Sequence, residues 1–183
     1  MEYVMPDEPL AYFITFTCYG TWLHGDERGS VDCAHNQYGT EFLPADQEAR
    51  NQIQSAMREP PYSLDEPRRK IVLRAIIELA KTKKCQLFAV HIRSNHVHIV
   101  VRASQPIERV MNDCKSIASR DLSLAFPDER NRKRWTRHGS TRYLWTIEQL
   151  EQKIDYVLNQ QGAPMERYPE PESLEPPSEP RTK

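Results

Sequence analysis

Hydrophobic positions follow a strand-like pattern in several short stretches of the chain. Residues 11–19 are rich in β-branched and aromatic side chains, which is typical of a β-strand. Two more apolar runs, at residues 85–92 and 96–102, are separated by only three residues, so we expect them to pair as a hairpin. A further short strand is predicted over residues 142–145, where it would close the sheet.

Apolar residues recur at helical spacing in three other segments. Residues 68–84 combine such a stripe with a basic outer side, which predicts an amphipathic helix. A second helix is predicted to begin at Pro106 and to continue until the next proline. The third is predicted to begin at Thr146, where Thr146 and Gln149 form a capping box, and to end at Gly162.

The order of these elements is strand, long insert, helix, strand, strand, helix, strand, helix. The first six regular elements fit the split βαβ plan, which is an antiparallel sheet with two helices packed on one face. We therefore predict an α+β fold that ends in an additional C-terminal helix.

Composition divides the chain into one folded domain, residues 1–163, and a tail. A chain of 183 residues suits a single domain with its own core. Residues 164–183 contain six prolines and little that is apolar, so we expect this tail to be disordered. Residues 20–65 form a long insert with several glycines and prolines, and inserts of this length are usually functional or ordered by a partner.

The sequence also indicates where in the cell the protein is expected. No apolar run approaches the roughly 18 residues that a membrane span needs, and the acidic start does not resemble a secretion signal. We therefore expect a soluble, cytoplasmic protein without a membrane partner. The four cysteines include no CxxC pair, which argues against a zinc ribbon or a redox motif.

The net charge of −1 is an average over regions of opposite sign. The tail has five acidic and three basic residues, so the remaining chain is near +1. Residues 130–145 hold six basic residues and no acidic one. A near-neutral total therefore does not exclude binding of an anionic partner at this segment.

The motif Asn95-His96-Val97-His98 places two histidines at alternate positions of a predicted strand. Because side chains alternate along a strand, His96 and His98 share one face while Val97 and Ile99 share the other. If the apolar side packs under the two helices, both imidazoles lie on the opposite, open face. Two imidazoles at this spacing can chelate one metal ion, although strand histidines without a metal are the alternative.

The last helix carries Tyr156 beside a buried stripe. We expect that stripe to consist of Ile147, Leu150, Ile154, Val157, Leu158 and Gln161. Gln160 lies at i+4 from Tyr156 and is therefore stacked on the same side, with Asn159 close by. A lone tyrosine here is also compatible with an interfacial core residue, unless a metal faces it.

Together these motifs resemble the single-tyrosine HUH endonucleases, which include the insertion-sequence-200-like transposases and the REP-associated tyrosine transposases. The resemblance rests on His96-Val97-His98, on the Tyr-x-x-Asn-Gln motif at residues 156–160 and on the opening strand. It covers residues 11–162. It implies a ferredoxin-like sheet, single-stranded or hairpin DNA as the substrate, and a covalent 5′-phosphotyrosine intermediate.

The resemblance also assigns roles to residues. It makes Tyr156 the nucleophile and His96, His98 and Gln160 the metal ligands, with Asn159 as the rival third ligand. Two imidazoles and an amide oxygen suit Mg²⁺ or Mn²⁺ as the metal that supports the reaction, although Zn²⁺ or Ni²⁺ could also bind. The resemblance further implies a bacterial nucleoid-associated protein, in which the helix docks on its own sheet or on that of a second subunit of a homodimer.

DNA contacts are expected at the basic segment, because phosphate attraction and aromatic stacking together bind single strands. The candidates in this segment are Arg130, Arg132, Lys133, Arg134, Trp135, Arg137 and Arg142, with Tyr143 and Trp145 as further aromatic residues. Lys115 and Arg120 of the second helix are additional candidates. The alternative is a solvated basic loop with aromatic residues in the core.

Three functions are therefore compatible with the sequence. The first is a metal-dependent single-strand DNA endonuclease and strand transferase, which is either a transposase or a domesticated relative. The second is a non-catalytic module that binds single-stranded or hairpin nucleic acid on the same fold. The third, a zinc-stabilised structural protein, is disfavoured by the missing CxxC pair. His91 and His138 lack ligand spacing and are expected to be structural or phosphate-contacting.

Overall fold

The computed structural model describes residues 8–21, 48, 51–52 and 55–170 of the chain. Its centre is an antiparallel sheet of five strands in the order β4-β1-β3-β2-β5. The strands are β1 Ala11–Thr17, β2 Gln86–Ile92, β3 His96–Arg102, β4 Ser140–Leu144 and β5 Glu166–Tyr168. The first four correspond to the predicted strands, and β2 and β3 form the predicted hairpin.

Three α-helices that are described over their whole length accompany the sheet. They are α1 Glu66–Thr82, α2 Ile107–Ala125 and α3 Ile147–Asn159. Helix α1 begins at Asp65, whose side chain accepts a hydrogen bond from the Arg68 amide. Helix α3 has the predicted capping box, because Thr146 and Gln149 exchange side-chain to backbone hydrogen bonds. Local sequence signals therefore located each of these helices.

Helices α1 and α2 pack on one face of the sheet and form the main core. The alternating apolar residues of β1 and β3 point toward them, as period-2 patterning requires. The buried cluster includes Ile14, Phe16, Val72, Ile76, Val97, Ile99, Val101, Val110, Cys114 and Leu122. This arrangement confirms the predicted α+β fold, an antiparallel sheet with two helices on one face.

Helix α3 packs on the opposite face, which the sequence suggested would be open. A second buried cluster joins it to the sheet through Ala11, Phe13, Ala89, Val100, Leu144 and Val157. Ile147, expected in the buried stripe of this helix, is instead 62% exposed. The stripe therefore begins after the first turn of α3. The helix partly covers the face of the sheet that carries His96 and His98, which we call the histidine face.

The expected tail boundary at Pro164 is wrong for the residues that follow it directly. Glu166–Tyr168 form β5, which pairs with β2 at the edge of the sheet. The sequence of this strand has no strong apolar pattern that would predict it. Its strand conformation therefore depends on the pairing with β2. Residues 171–183 of the predicted tail lie outside the described residues.

The predicted insert at residues 20–65 is described mainly at its C-terminal end. There, Tyr62 and Leu64 are buried in the main core, and the Leu64 amide donates to the Ser94 carbonyl at 2.7 Å. Residues 22–47 lie outside the described residues. In the part of the chain that is described, no helix is both long and apolar enough to cross a membrane.

Candidate active site on the histidine face

Strand β3 places His96 and His98 on the face of the sheet that carries α3. Val97 and Ile99 point to the other face and are buried under α1 and α2, so the alternation predicted for this strand is observed. His98 is only 6% exposed, because α3 lies over it. His96 is half-buried at the start of the strand.

Both ring nitrogens of His98 have polar neighbours. Nδ1 lies 2.8 Å from Oγ1 of Thr15 on the adjacent strand, and Nε2 lies 3.1 Å from Oε1 of Gln161. Because an amide oxygen only accepts, Nε2–H donates to Gln161 and Nδ1 accepts from the Thr15 hydroxyl. Burial, with a smaller contribution from His96, lowers the pKa of His98 to about 3, so the imidazole is neutral.

The ring of His96 is close to that of His98, with 4.7 Å between their centroids. Its Nδ1 atom lies 2.7 Å from Oδ1 of Asn95. Each imidazole therefore has a neighbouring residue that orients its ring through Nδ1. This is the arrangement in which metal-binding histidines present their other nitrogen to a metal.

Tyr156 faces these histidines from α3. Its ring centroid is 5.6 Å from that of His98 and 6.0 Å from that of Phe13. The ammonium group of Lys153, one turn earlier, lies 5.0 Å from the Tyr156 ring centroid. Tyr156 is thus half-buried and lies beside the imidazoles and close to a positive charge.

At the end of α3, the two candidates for the third ligand, Asn159 and Gln160, contact Asp155 instead of the histidines. Asn159 and Gln160, at i+4 and i+5 from Asp155, both donate to its carboxylate, at 2.7 and 2.6 Å. Gln160 is exposed, and its φ of −108° and ψ of 20° have left the helical range. The i+4 spacing therefore does not bring Gln160 to the histidines, because the helix ends before it.

Gln161 occupies the position for which Gln160 was expected. Its Oε1 atom contacts His98, and its Nε2 atom donates to the Tyr156 carbonyl at 3.2 Å. The sequence already contained a signal, since Gln161 was expected on the buried stripe of α3. Helical spacing from Tyr156 favours the neighbouring Gln160 instead, so the sequence pattern does not connect Gln161 with the histidines.

The donors that could hold a metal are thus two imidazoles and a side-chain amide oxygen. Among the described residues, no group of three or more His, Cys, Asp or Glu side chains is placed to hold a metal ion. The oriented imidazoles fit a metal nonetheless. The hydroxyl of Thr15 can donate or accept, so it accommodates the His98 tautomer that leaves Nε2 unprotonated for coordination.

Several residues of the predicted DNA-binding segment are structural instead. Lys115 is buried, and its ammonium group donates to the carbonyls of Thr136, Arg137 and His138 at 3.1, 3.4 and 3.0 Å. Burial lowers the pKa of Lys115. This lysine holds the loop before β4 and does not face solvent, so its prediction as a DNA contact is wrong.

Arg134 and Trp135 are also engaged within the protein. Arg134 is 4% exposed and donates to the Glu129 carbonyl at 2.8 Å. The indole of Trp135 meets Phe16 edge-on at 5.1 Å and donates to Ser119 at 2.9 Å. Neither side chain is presented to DNA, which corrects the prediction for both.

The remaining basic candidates differ in their surroundings. Arg132 pairs with Glu59 at 2.8 Å, and the exposed Arg120 pairs with Asp121 at 3.2 Å. The ammonium group of Lys133 lies over the ring of Tyr19. Arg130, Arg137 and Arg142 are exposed, and the described residues show no ion pair for them.

Arg142 has a direct relation to the histidine face. It is the register partner of Phe13, so the two side chains project from the same face of the sheet. The Phe13 ring in turn stacks against His98 at 5.4 Å. Arg142 therefore extends the site toward the β4 edge with a positive charge.

A sequence model of the family described as "Transposase IS200 like" matches residues 61–160. A search of curated proteins found no match. The structure of a REP-associated tyrosine transposase bound to a REP hairpin is 10% identical, with a TM-score of 0.45, and the match covers 86% of this chain and 69% of that one.

A second similar structure is named as that of a transposase from Deinococcus radiodurans. It is 15% identical, with a TM-score of 0.44, and the match covers 89% of this chain and 97% of that chain. The family match is the stronger finding, since it spans more than half of the 183 residues. It also includes His96, His98 and Tyr156. The chain therefore belongs to the family of IS200-like transposases, proteins that process DNA.

Proposed function

We propose that this chain is a metal-dependent enzyme that nicks and rejoins single-stranded DNA through a covalent tyrosine intermediate. The observation that carries the proposal is the position of Tyr156, whose ring lies 5.6 Å from that of His98 on the histidine face. A nucleophile and two oriented imidazoles then meet at one point of the sheet. Arg142 at the sheet edge adds the positive charge that a DNA strand requires.

The proposed reaction begins with attack of the Tyr156 hydroxyl oxygen on a DNA phosphorus atom. The new bond is between this oxygen and phosphorus, and the bond from phosphorus to the 3′ oxygen breaks. The phenolic proton passes to water, and the departing 3′ oxygen takes up a proton to become a 3′-hydroxyl. The products are a 5′-phosphotyrosine and a free 3′ end, and attack by a 3′-hydroxyl reverses the step and joins a strand.

A phenol is a weak nucleophile at neutral pH, so it depends on its surroundings. The residues that would hold a divalent ion are His96, His98 and a glutamine amide, for which Gln161 has the better position. When bound, Mg²⁺ or Mn²⁺ polarises the scissile phosphate and offsets its developing charge. Helix α3 holds Tyr156 next to this phosphate, which lowers the entropic cost of attack.

The proposed substrate is single-stranded DNA, with a hairpin as the recognised feature. Arg130, Arg137 and Arg142 supply exposed positive charge along the segment that leads into β4. Tyr143 and Trp145 stack on each other with 6.2 Å between their ring centroids, and Tyr143 is 49% exposed. Tyr143 projects from the face of β4 opposite to Arg142, and its exposed ring at the sheet edge suits stacking of an unpaired base. The hairpin is proposed from the resemblance to the transposase family.

A covalent-adduct assay tests the proposal. Labelled single strands that contain different hairpins are incubated with the protein and Mg²⁺ or Mn²⁺, and protein–DNA adducts are separated under denaturing conditions. We expect an adduct with the wild type, none with Tyr156→Phe, and unchanged DNA affinity for that variant. Tyr12→Phe, on the opposite face of the sheet from the histidines, is the matched control and should form the adduct normally.

The same assay can overturn the proposal. An adduct with Tyr156→Phe would show that a different residue is the nucleophile. Binding without any adduct, across the whole panel of hairpins and both metals, would favour the non-catalytic binding module. Peptide mapping of the wild-type adduct identifies the modified residue directly.

A further inference from the structure

A row of polar side chains crosses the histidine face from one edge of the sheet to the other. The row follows the register of the five strands through Ser140, Thr15, His98, His91 and Arg167. Thr15 and His98 belong to the candidate active site. His91 and Arg167 lie on the other side of His98, below the C-terminal turn of α3.

His91 is 1% exposed and uses both ring nitrogens. Its Nδ1–H donates to the Val157 carbonyl at 2.8 Å, and its Nε2 accepts a hydrogen bond from the Met165 amide at 3.2 Å. Val157 directly follows Tyr156 in α3. One neutral imidazole therefore ties the turn that carries the tyrosine to strand β2 and to the segment before β5.

The last carbonyls of a helix have no partner within the helix and need donors from elsewhere. In α3 the Tyr156 carbonyl accepts from the Gln160 amide, and side chains of the same chain supply further donors. The carbonyls of Tyr156, Val157 and Leu158 accept hydrogen bonds from side-chain nitrogens at 3.2, 2.8 and 2.7 Å. The donors are Gln161, His91 and Arg167, in that order.

The strands on either side of α3 also belong to one sheet. Strand β4 precedes the helix at one edge, and β5 follows it at the opposite edge. Helix α3 therefore crosses the whole face between two strands that both pair with its own chain. β5 is further anchored by the ion pair of Glu166 with Arg69 of α1.

We propose that His91 and Arg167 are positioning residues that fix the C-terminal turn of α3, so that Tyr156 acts on DNA held at the histidines of its own chain. This inference rests on the proposed role of Tyr156 as the nucleophile. A helix bound at three consecutive carbonyls and flanked by two strands of one sheet cannot move to a second subunit without loss of these contacts.

The first test asks whether the site is built from one chain. His98→Ala retains the tyrosine, and Tyr156→Phe retains both histidines. The two variants carry different tags, are co-expressed and also mixed, and are then assayed for covalent adducts with hairpin DNA. We expect no adduct. An adduct on the His98→Ala chain in the mixture would overturn the inference, because its tyrosine would have acted at a partner's site.

The second test asks whether the two residues position the tyrosine. We expect His91→Leu to lower the rate of adduct formation at saturating DNA about ten- to hundredfold, with unchanged DNA affinity. His91→Asn should recover much of the rate, because its amide can donate to the Val157 carbonyl. A wild-type rate for His91→Leu would overturn the positioning role.

If His91→Leu does not fold, Arg167→Met tests the same positioning role. Its matched control is Arg102→Met, because Arg102 also donates to a backbone carbonyl, that of Leu10, but not to α3. Amide hydrogen exchange provides a readout that does not depend on activity. The last turn of α3 should exchange faster in Arg167→Met than in Arg102→Met, and equal exchange would contradict the inference even if the wild type forms no adduct.

Discussion

The side-chain oxygen of Gln161 lies 3.1 Å from Nε2 of His98, whereas the neighbouring Gln160 donates to Asp155. The two glutamines thus have different surroundings although they are adjacent in the chain. The cause is the end of α3 at Asn159, after which the backbone turns and brings Gln161 inward. This relationship distinguishes the glutamine that belongs to the site.

We predict that Gln161→Ala weakens metal binding while Gln160→Ala leaves it unchanged. The expected loss of affinity for Gln161→Ala is at least about tenfold, because a ligand or a residue that orients one is removed. Direct titration of both variants with Mn²⁺ measures it without reference to activity. The reverse result would show that Gln160 reaches the histidines, as the spacing from Tyr156 suggested.

The hydroxyl of Thr15 is predicted to set the orientation of His98. Thr15→Val retains the shape of the side chain but removes the contact with Nδ1, which is 2.8 Å long. We expect metal affinity to fall about 10- to 100-fold. Thr17→Val is the control, since Thr17 lies on the same strand but its hydroxyl contacts Thr136. Equal affinities in the two variants would exclude this role.

The basic residues are predicted to separate into two groups. Arg137→Ala and Arg142→Ala should weaken DNA binding and reduce the magnitude of its salt dependence by about one phosphate contact each. Arg134→Ala should instead lower the free energy of unfolding, because a buried guanidinium and its hydrogen bond are lost. Fluorescence anisotropy at several salt concentrations, together with urea unfolding, distinguishes these outcomes. A folded Arg134→Ala with selectively weaker DNA binding would contradict the grouping.

Glu129 is predicted to make stability depend on pH through its contact with α1. It accepts hydrogen bonds from Nε of Arg68 at 3.3 Å and from the Tyr62 hydroxyl at 2.9 Å. The hydrogen bond from Arg68 is the main cause that lowers the pKa of Glu129 in the folded protein. Because the unfolded value is about 4.3, the stabilisation is present above that pH and is lost as the pH falls through the folded-state pKa.

Arg68→Met should therefore lower the free energy of unfolding by about 2 kcal/mol at pH 7. The difference from the wild type should shrink as the pH falls below about 4, where Glu129 becomes protonated. Urea unfolding at several pH values measures both effects, with Arg74→Met on the exposed side of the same helix as the control. A difference that stays constant down to low pH would assign the loss to packing instead.

Local patterns in the sequence were sufficient to locate β1 to β4 and the three helices. The reason is that alternation, helical spacing and capping act between residues that are close in the chain. The same patterns placed His96 and His98 on one face and Tyr156 on the last helix. Identification of the family followed from the combination of these two motifs.

Tertiary structure decided which of the candidate residues meet. The sequence did not show that α3 would cover the histidine face, that β5 would extend the sheet, or that Lys115, Arg134 and Trp135 would be buried. A basic side chain has the same charge in a loop on the surface and in contact with buried carbonyls, so composition cannot separate the two cases. Gln161 and its partner His98 are 63 positions apart in the chain, and His91 and its partner Val157 are 66 positions apart. Local spacing determines the face on which a side chain lies, but only the packing of distant segments determines what that side chain touches.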